Sequence, residues 1–267
     1  MPGLRNPVRL YLGKKYFTLK RYLKWVRHQK YFAKDFSSSQ LPFSIFSHQS
    51  LLKRSLQNEL LSLQENKINN LSLAIQKLDG LTIKPGEIFS FWYLVGKPSA
   101  AKGYLSGMVL KNGQITSEVG GGLCQLTNLI YWMSLHTPLT ITERWRHSHD
   151  VFPDASRTQP FGSGATVAYN YVDLQIKNNT QQIFQLKLGL SNTHLQGAWH
   201  SDQPHSRYYQ IEERNHEITH EFWGGYLRHN QIYKLIFDSA TRQKISEEKV
   251  AENHCVMMYD PLLKSGA

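Results

Sequence analysis

The chain has 267 residues, 40% of them hydrophobic and 12% aromatic, and a formal net charge of +11 at neutral pH. This length and apolar content exclude a disordered polar chain and suffice for a real core, as one large domain or one domain with appendages. The charge does not describe a basic nucleic-acid-binding domain: ten Lys and Arg precede the first acid, Asp35, and taking them from the total of 31 leaves 21 against 20 Asp and Glu.

Residues 1–36 form a basic, aromatic arm. Leu19, Tyr22, Leu23 and Val26 fall near helical spacing. A basic amphipathic helix carrying Trp and Tyr either lies on an anionic membrane surface or packs its apolar stripe on the core and solvates its charges. RNA ranks third, because no nucleic-acid module accompanies the charge, and no nucleic-acid partner is expected. Neither an apolar run of about 18 residues nor the apolar centre of a signal peptide is present. With two distant cysteines, Cys124 and Cys255, and no disulfide framework, the expected location is cytoplasmic, peripheral to the inner membrane face if the arm binds lipid.

Residues 37–80 are predicted to be a helical segment behind a Ser-rich link, Ser37 to Ser50. Leu52, Leu56, Leu60 and Leu63 step along one face, and Ile68, Leu71, Ala74, Ile75 and Leu78 continue after a polar break, as two helices or one kinked helix. Asp79-Gly80 gives the stop. The rest, 81–267, changes period. Lys84-Pro85-Gly86-Glu87 has the residues of a type II turn, Ile88 to Leu94 reads as a strand, and Asn112-Gly113 marks a hairpin.

That hairpin leads into Gly120-Gly121-Gly122-Leu123-Cys124-Gln125. The glycines permit a sharp turn and close approach of a ligand to backbone amides, or serve close packing alone. A helix is predicted to start beside Cys124, with Leu126, Leu129, Ile130 and Met133 on its buried face and Pro138 as its stop. A thiol at a helix N-terminus sits among unpaired N–H groups that favour thiolate, the placement of a cysteine nucleophile; the alternative is an ordinary buried cysteine.

Downstream, Leu139 to Thr142 alternates as a strand into Glu143-Arg144-Trp145-Arg146-His147-Ser148-His149-Asp150, a loop with Pro153 and Pro160 follows, and Ala165 to Ile176 alternates again. A nucleophilic cysteine needs a base and a group that orients it, and the order Cys124, then His147 or His149, then Asp173 supplies candidates. Asp173 has a second reading, as a carboxylate bonding neighbouring backbone amides. Arg144 and Arg146 either pair with a substrate anion or lie solvated. Glu118 is a capping residue or a general acid. His147 and His149 with Cys124 also make a weak zinc set without supporting spacing, so no metal or other cofactor is predicted. From His194, Trp199, Trp223 and many Tyr suggest further short strands.

The runs KPGEIFSFW, KGY, GGGLCQL, TERWRHSHDVFPD and FGSGATVAY, with Asp173 following, resemble the VanW family. HQSLLKR near His48 and ENHCVMMYDPLL at the end extend the likeness over most of the chain. The resemblance implies a link to the bacterial cell envelope and glycopeptide resistance; longer relatives carry a membrane anchor and peptidoglycan-binding modules. Its retained cysteine and His-Ser step match Cys124, Gln125, His147 and Ser148, which selects His147 as the base. The expectation is therefore an α+β domain with the Cys124 helix on a mostly antiparallel sheet. Its activity would be cysteine-dependent acyl transfer on peptidoglycan peptides or their precursors: Cys124 attacks, His147 carries the proton and Asp173 orients it. Amides near Gly122 to Gln125, with the Gln125 side chain, would hold the oxyanion, and Glu118, Gly120, Gly121, Arg144, Ser148 and His149 would line the substrate site. The rival is a non-catalytic protein that binds a wall ligand or partner.

Overall fold

A computed structural model describes residues 7–53, 61–111, 113–151 and 159–261. The turn residue Asn112, the loop around Pro153, and Leu56, Leu60, Leu262 and Leu263 of the sequence reading lie outside those residues.

The class is α+β. The helices are α1 (Pro7–His28), α2 (Leu61–Ile75), α3 (Phe91–Val95) and α4 (Cys124–Leu135). The first strands are β1 (Asp35–Phe36), β2 (Phe43–Leu51), β3 (Leu81–Ile83), β4 (Ile88–Ser90), β5 (Ser106–Lys111), β6 (Gln114–Val119), β7 (Thr140–Glu143) and β8 (His149–Asp150). They are followed by β9 (Gln175–Lys177), β10 (Phe184–Leu190), β11 (His194–Ser201), β12 (Arg207–His220), β13 (Tyr226–Asp238) and β14 (Lys244–Met257). Four sheets result, in the orders β1-β3-β10-β11-β2, β12-β13-β14-β8, β4-β9-β7 and β5-β6. Every strand pair is antiparallel except β14 with β8.

The centre of the core is α4 against the five-stranded sheet. Its sequence is apolar nearly all round, so it buries Leu126 to Leu135 except Asn128, not the single face that the spacing predicts. Trp199 of β11 is fully enclosed, and its indole N–H donates to Ser134 Oγ at 3.0 Å. Burial of a side chain that large is worth roughly 4–6 kcal/mol. Ser134 also donates to the Ile130 carbonyl at 2.7 Å, so both its roles are satisfied inside the helix pair.

Five stretches differ from the sequence reading. The Ser-rich link is largely β2, an edge strand in which half-buried Phe46, His48 and Ser50 alternate with exposed Ser47, Gln49 and Leu51. The long helix reduces, among the described residues, to α2. The predicted strand Ile88 to Leu94 stops at Ser90, whose hydroxyl accepts from the Tyr93 amide and starts α3, so an N-cap overrides aromatic β-propensity. Ala165 to Ile176 contributes only β9 and isolated bridges, Trp145 with Thr166 and Ala168 with Val172. The region from His194, expected as further short strands, contains the long meander β12–β13–β14. The Lys84–Glu87 turn closes with Glu87 N–H to Lys84 carbonyl at 3.0 Å and Gly86 at φ +83°.

Candidate functional site

The β5–β6 hairpin pairs Ser106 with Val119 and passes directly into the glycine run. Gly122 has φ +92°, a conformation that side-chain-bearing residues avoid. Gly121 is constrained by space: a Cβ there would lie 2.0 Å from the Gly107 carbonyl oxygen. Fully buried Asn70 of α2 fastens this contact, donating to the carbonyls of Gly121 and Leu105 at 2.9 Å each and accepting from the Leu105 amide at 2.8 Å. A Cβ on Gly120 would meet Pro98 at 2.5 Å and one on Gly122 would meet the Lys67 stem at 2.2 Å. All three glycines therefore serve close packing, against Pro98, β5 and α2.

Cys124 is the first residue of α4 and is half-buried. Its Sγ lies 3.3 Å from Thr166 Oγ1 and 3.9 Å from the Val167 carbonyl oxygen. The same turn is fastened to this segment twice more. Thr127 Oγ1 donates to the Ala165 carbonyl at 2.6 Å, and the Ala165 amide donates to Asn128 Oδ1 at 2.7 Å. Thr166 in turn bridges to Trp145, its amide donating to the Trp145 carbonyl at 2.8 Å. His147 stands two residues along from Trp145, so the bridge brings the His147 segment beside the segment that holds the thiol.

The surroundings of His147 are fixed mainly through backbone. Arg146 donates to Cys255 Sγ at 2.6 Å and to the His254 carbonyl at 2.7 Å, and Cys255 donates to the His147 carbonyl at 3.3 Å. Burial pushes the Cys255 thiol up, which keeps it protonated. Burial, with the neighbouring His149, pushes the His147 imidazole down, so it is neutral and able to accept a proton at pH 7. Ser148 Oγ and His149 Nδ1 are 2.9 Å apart, and His149 lies in β8 beside Val256.

Several assignments made from the sequence are corrected. Among the described residues no hydrogen bond joins Cys124 to His147, and the imidazole side chain makes none. Asp173 does not orient it. Its carboxylate, with no exposed surface, accepts from Ser90 Oγ at 2.6 Å, the Trp92 amide at 3.1 Å, the Leu174 amide at 2.9 Å and Gln175 Nε2 at 3.2 Å. Burial pushes this carboxyl up while those bonds and the Arg21 charge oppose the shift, so Asp173 is an internal anchor for α3. The Gln125 amide group is likewise engaged, donating to Ser50 Oγ at 3.0 Å and the Leu51 carbonyl at 2.7 Å, which removes it as an oxyanion donor. The Gln125 backbone N–H turns back to the Gly122 carbonyl at 3.0 Å.

Arg144 faces inward. It donates to the carbonyls of Gly164, at 2.9 Å, and Gly162, and its guanidinium lies over the Tyr131 ring at 5.0 Å, so it holds the 161–165 loop on α4 rather than a substrate anion. Glu118 is exposed on β6 opposite Gly107, and its carbonyl accepts from the Gly121 amide at 2.9 Å. Among the described residues no three His, Cys, Asp or Glu side chains converge on a metal position, so the set Cys124, His147 and His149 is not assembled. Sequence reading missed Thr166, Asn70 and Asn128. Thr166 lies inside FGSGATVAY, and Asn70 is a polar break in the apolar stripe of α2, which were the available signals.

The family described as VanW like protein matches residues 66–200. "Vancomycin B-type resistance protein VanW" of Enterococcus faecalis is 32% identical over 234 residues, 88% of this chain and 84% of that protein. "Uncharacterized protein YoaR" of Bacillus subtilis is 30% identical over 121 residues, 45% of this chain and 38% of that one. No solved structure matches the chain.

Proposed function

As this chain belongs to the VanW family, we propose that it is a cell-envelope-related protein associated with glycopeptide resistance, acting through Cys124 in acyl transfer on peptidoglycan peptides or their precursors. One observation carries the reading. A half-buried thiol at the first residue of α4 touches Thr166, whose bridge to Trp145 brings the neutral His147 segment alongside. In the proposed step the thiol proton passes to His147, directly or through a water as substrate docks, and Sγ bonds the carbonyl carbon of an amide. The C–N bond then breaks, His147 returns the proton to the leaving amine, and the thioester is resolved by water or by a second amine. Backbone amides at this helix start would hold the developing oxyanion.

The test is the pH dependence of Cys124 alkylation in Cys255→Ala protein, with and without His147→Ala. A thiol titrating well below the free value of about 8.5, and rising when His147 is replaced, is the expected result. An unreactive thiol, or one indifferent to His147, overturns it. The enclosure of Asp173 and the engagement of Gln125 favour a second reading, a non-catalytic protein that binds a wall ligand. In that case Cys124→Ser retains both ligand binding and the resistance phenotype.

A further inference from the structure

Helix α1 contacts the body of the protein along a narrow line. Arg21 forms a two-pronged ion pair with Glu143, at 2.6 and 2.5 Å, Lys24 donates to Gln175 at 3.1 Å, and Trp25 is buried edge-on against Tyr93. At 100° per residue, Val8, Leu12, Tyr16, Leu19, Leu23 and Val26 fall within one narrow sector of α1, well away from Trp25. All six point outward, exposed at 62, 59, 61, 60, 62 and 72%. An apolar stripe of this length facing solvent along some five turns is not what an ordinary terminal helix presents. Arg9, Lys20 and Arg27 border it on one side and Lys15 on the other, all exposed, and no acidic residue occurs before Asp35.

We propose that the outward face of α1 docks on an anionic lipid surface, with the six-residue stripe entering the headgroup and acyl boundary and the flanking cations meeting the lipid phosphates. Charge complementarity selects this occupant. A second copy seated on the stripe would bring two uniformly basic edges together, whereas an anionic bilayer supplies both the apolar depth and the opposite charge. The inference does not depend on whether Cys124 is catalytic.

The experiment is co-sedimentation of the full chain with vesicles of phosphatidylcholine alone or mixed with phosphatidylglycerol, at low and high salt, with light scattering of the free protein. Binding that requires phosphatidylglycerol and weakens with salt is expected. Each basic residue near such a surface raises partitioning about fivefold, so Arg9→Gln/Lys20→Gln/Arg27→Gln should bind roughly a hundredfold more weakly. Leu12→Glu/Leu19→Glu should abolish binding, and because these side chains are exposed both variants should retain the parent unfolding curve. Equal or absent partitioning with the two vesicle types overturns the proposal. So does a dimer of the free protein that Leu12→Glu/Leu19→Glu converts to monomer, since the stripe would then seat a second copy.

Discussion

Replacement of Asp173 separates an internal anchor from a catalytic one. Asp173→Ala removes the acceptor from four donors, the Ser90 hydroxyl, the Trp92 and Leu174 amides and the Gln175 side-chain amide. The two backbone amides cannot turn to water, and each buried donor left unsatisfied costs about 1–3 kcal/mol. Relief of the cost of burying the charge offsets part of this, so a net loss of about 3–4 kcal/mol is expected, seen as a fall in Tm of about 6–12 °C. Asp173→Asn keeps one acceptor oxygen and lets the Ser90 hydroxyl reverse, for a loss of about 1–2 kcal/mol. Thermal and urea unfolding give the ranking, and Cys124 alkylation profiles of the Asn variant give the second readout. If Asp173→Asn leaves stability intact yet moves the thiol titration as His147→Ala does, the carboxylate orients the imidazole and the assignment made from its contacts is wrong.

Acid should weaken the fold through His136, whose imidazole is held down to about 4, chiefly by burial. The unfolded group protonates near pH 6.5 and the folded one does not, so stability is full above that value and is lost as pH falls toward 4, by up to about 3 kcal/mol. The ring stacks on Phe46 at 3.8 Å, so His136→Phe keeps the packing, and the drop in urea midpoint between pH 7 and pH 4.5 should shrink; a parallel drop in both proteins refutes the attribution. Gly121→Ala should cost about 3 kcal/mol, because its Cβ meets backbone at 2.0 Å and β5 must move. Gly86→Ala, with φ +83° and nothing within 4 Å, should cost about 1–2 kcal/mol, and equal losses at the two sites would show that β5 yields freely.

Much of the frame was legible in local chemistry. The Lys84–Glu87 turn, the hairpin before the glycine run and the helix beginning at Cys124 follow from Pro, Gly and apolar spacing that act within a few residues. The α+β class followed from the change of period. What escaped depends on partners distant in the chain. β2 reads as a link because its Ser and Gln side chains suit an edge strand equally well, and only β11 supplies its ladder. Asp173 looks like a triad member, and its anchoring role is visible only once Ser90, eighty-three residues earlier, is placed beside it. Gln125 and Arg144 similarly look like ligand-binding groups until Ser50, Gly162 and Gly164 are placed beside them.

The segment 66–200 shared with the family owes its shape to chain that lies outside it. Glu143 is paired with Arg21, Arg146 with Cys255, Asp150 with Arg228 and Tyr259, and β11 with β2. Excision of that segment would bare a strand edge and strip partners from three charged groups at once, so the unit preserved in sequence is not a unit of folding. Fragments for biochemical work should therefore be cut by contacts, keeping β2 and the β12–β14 meander.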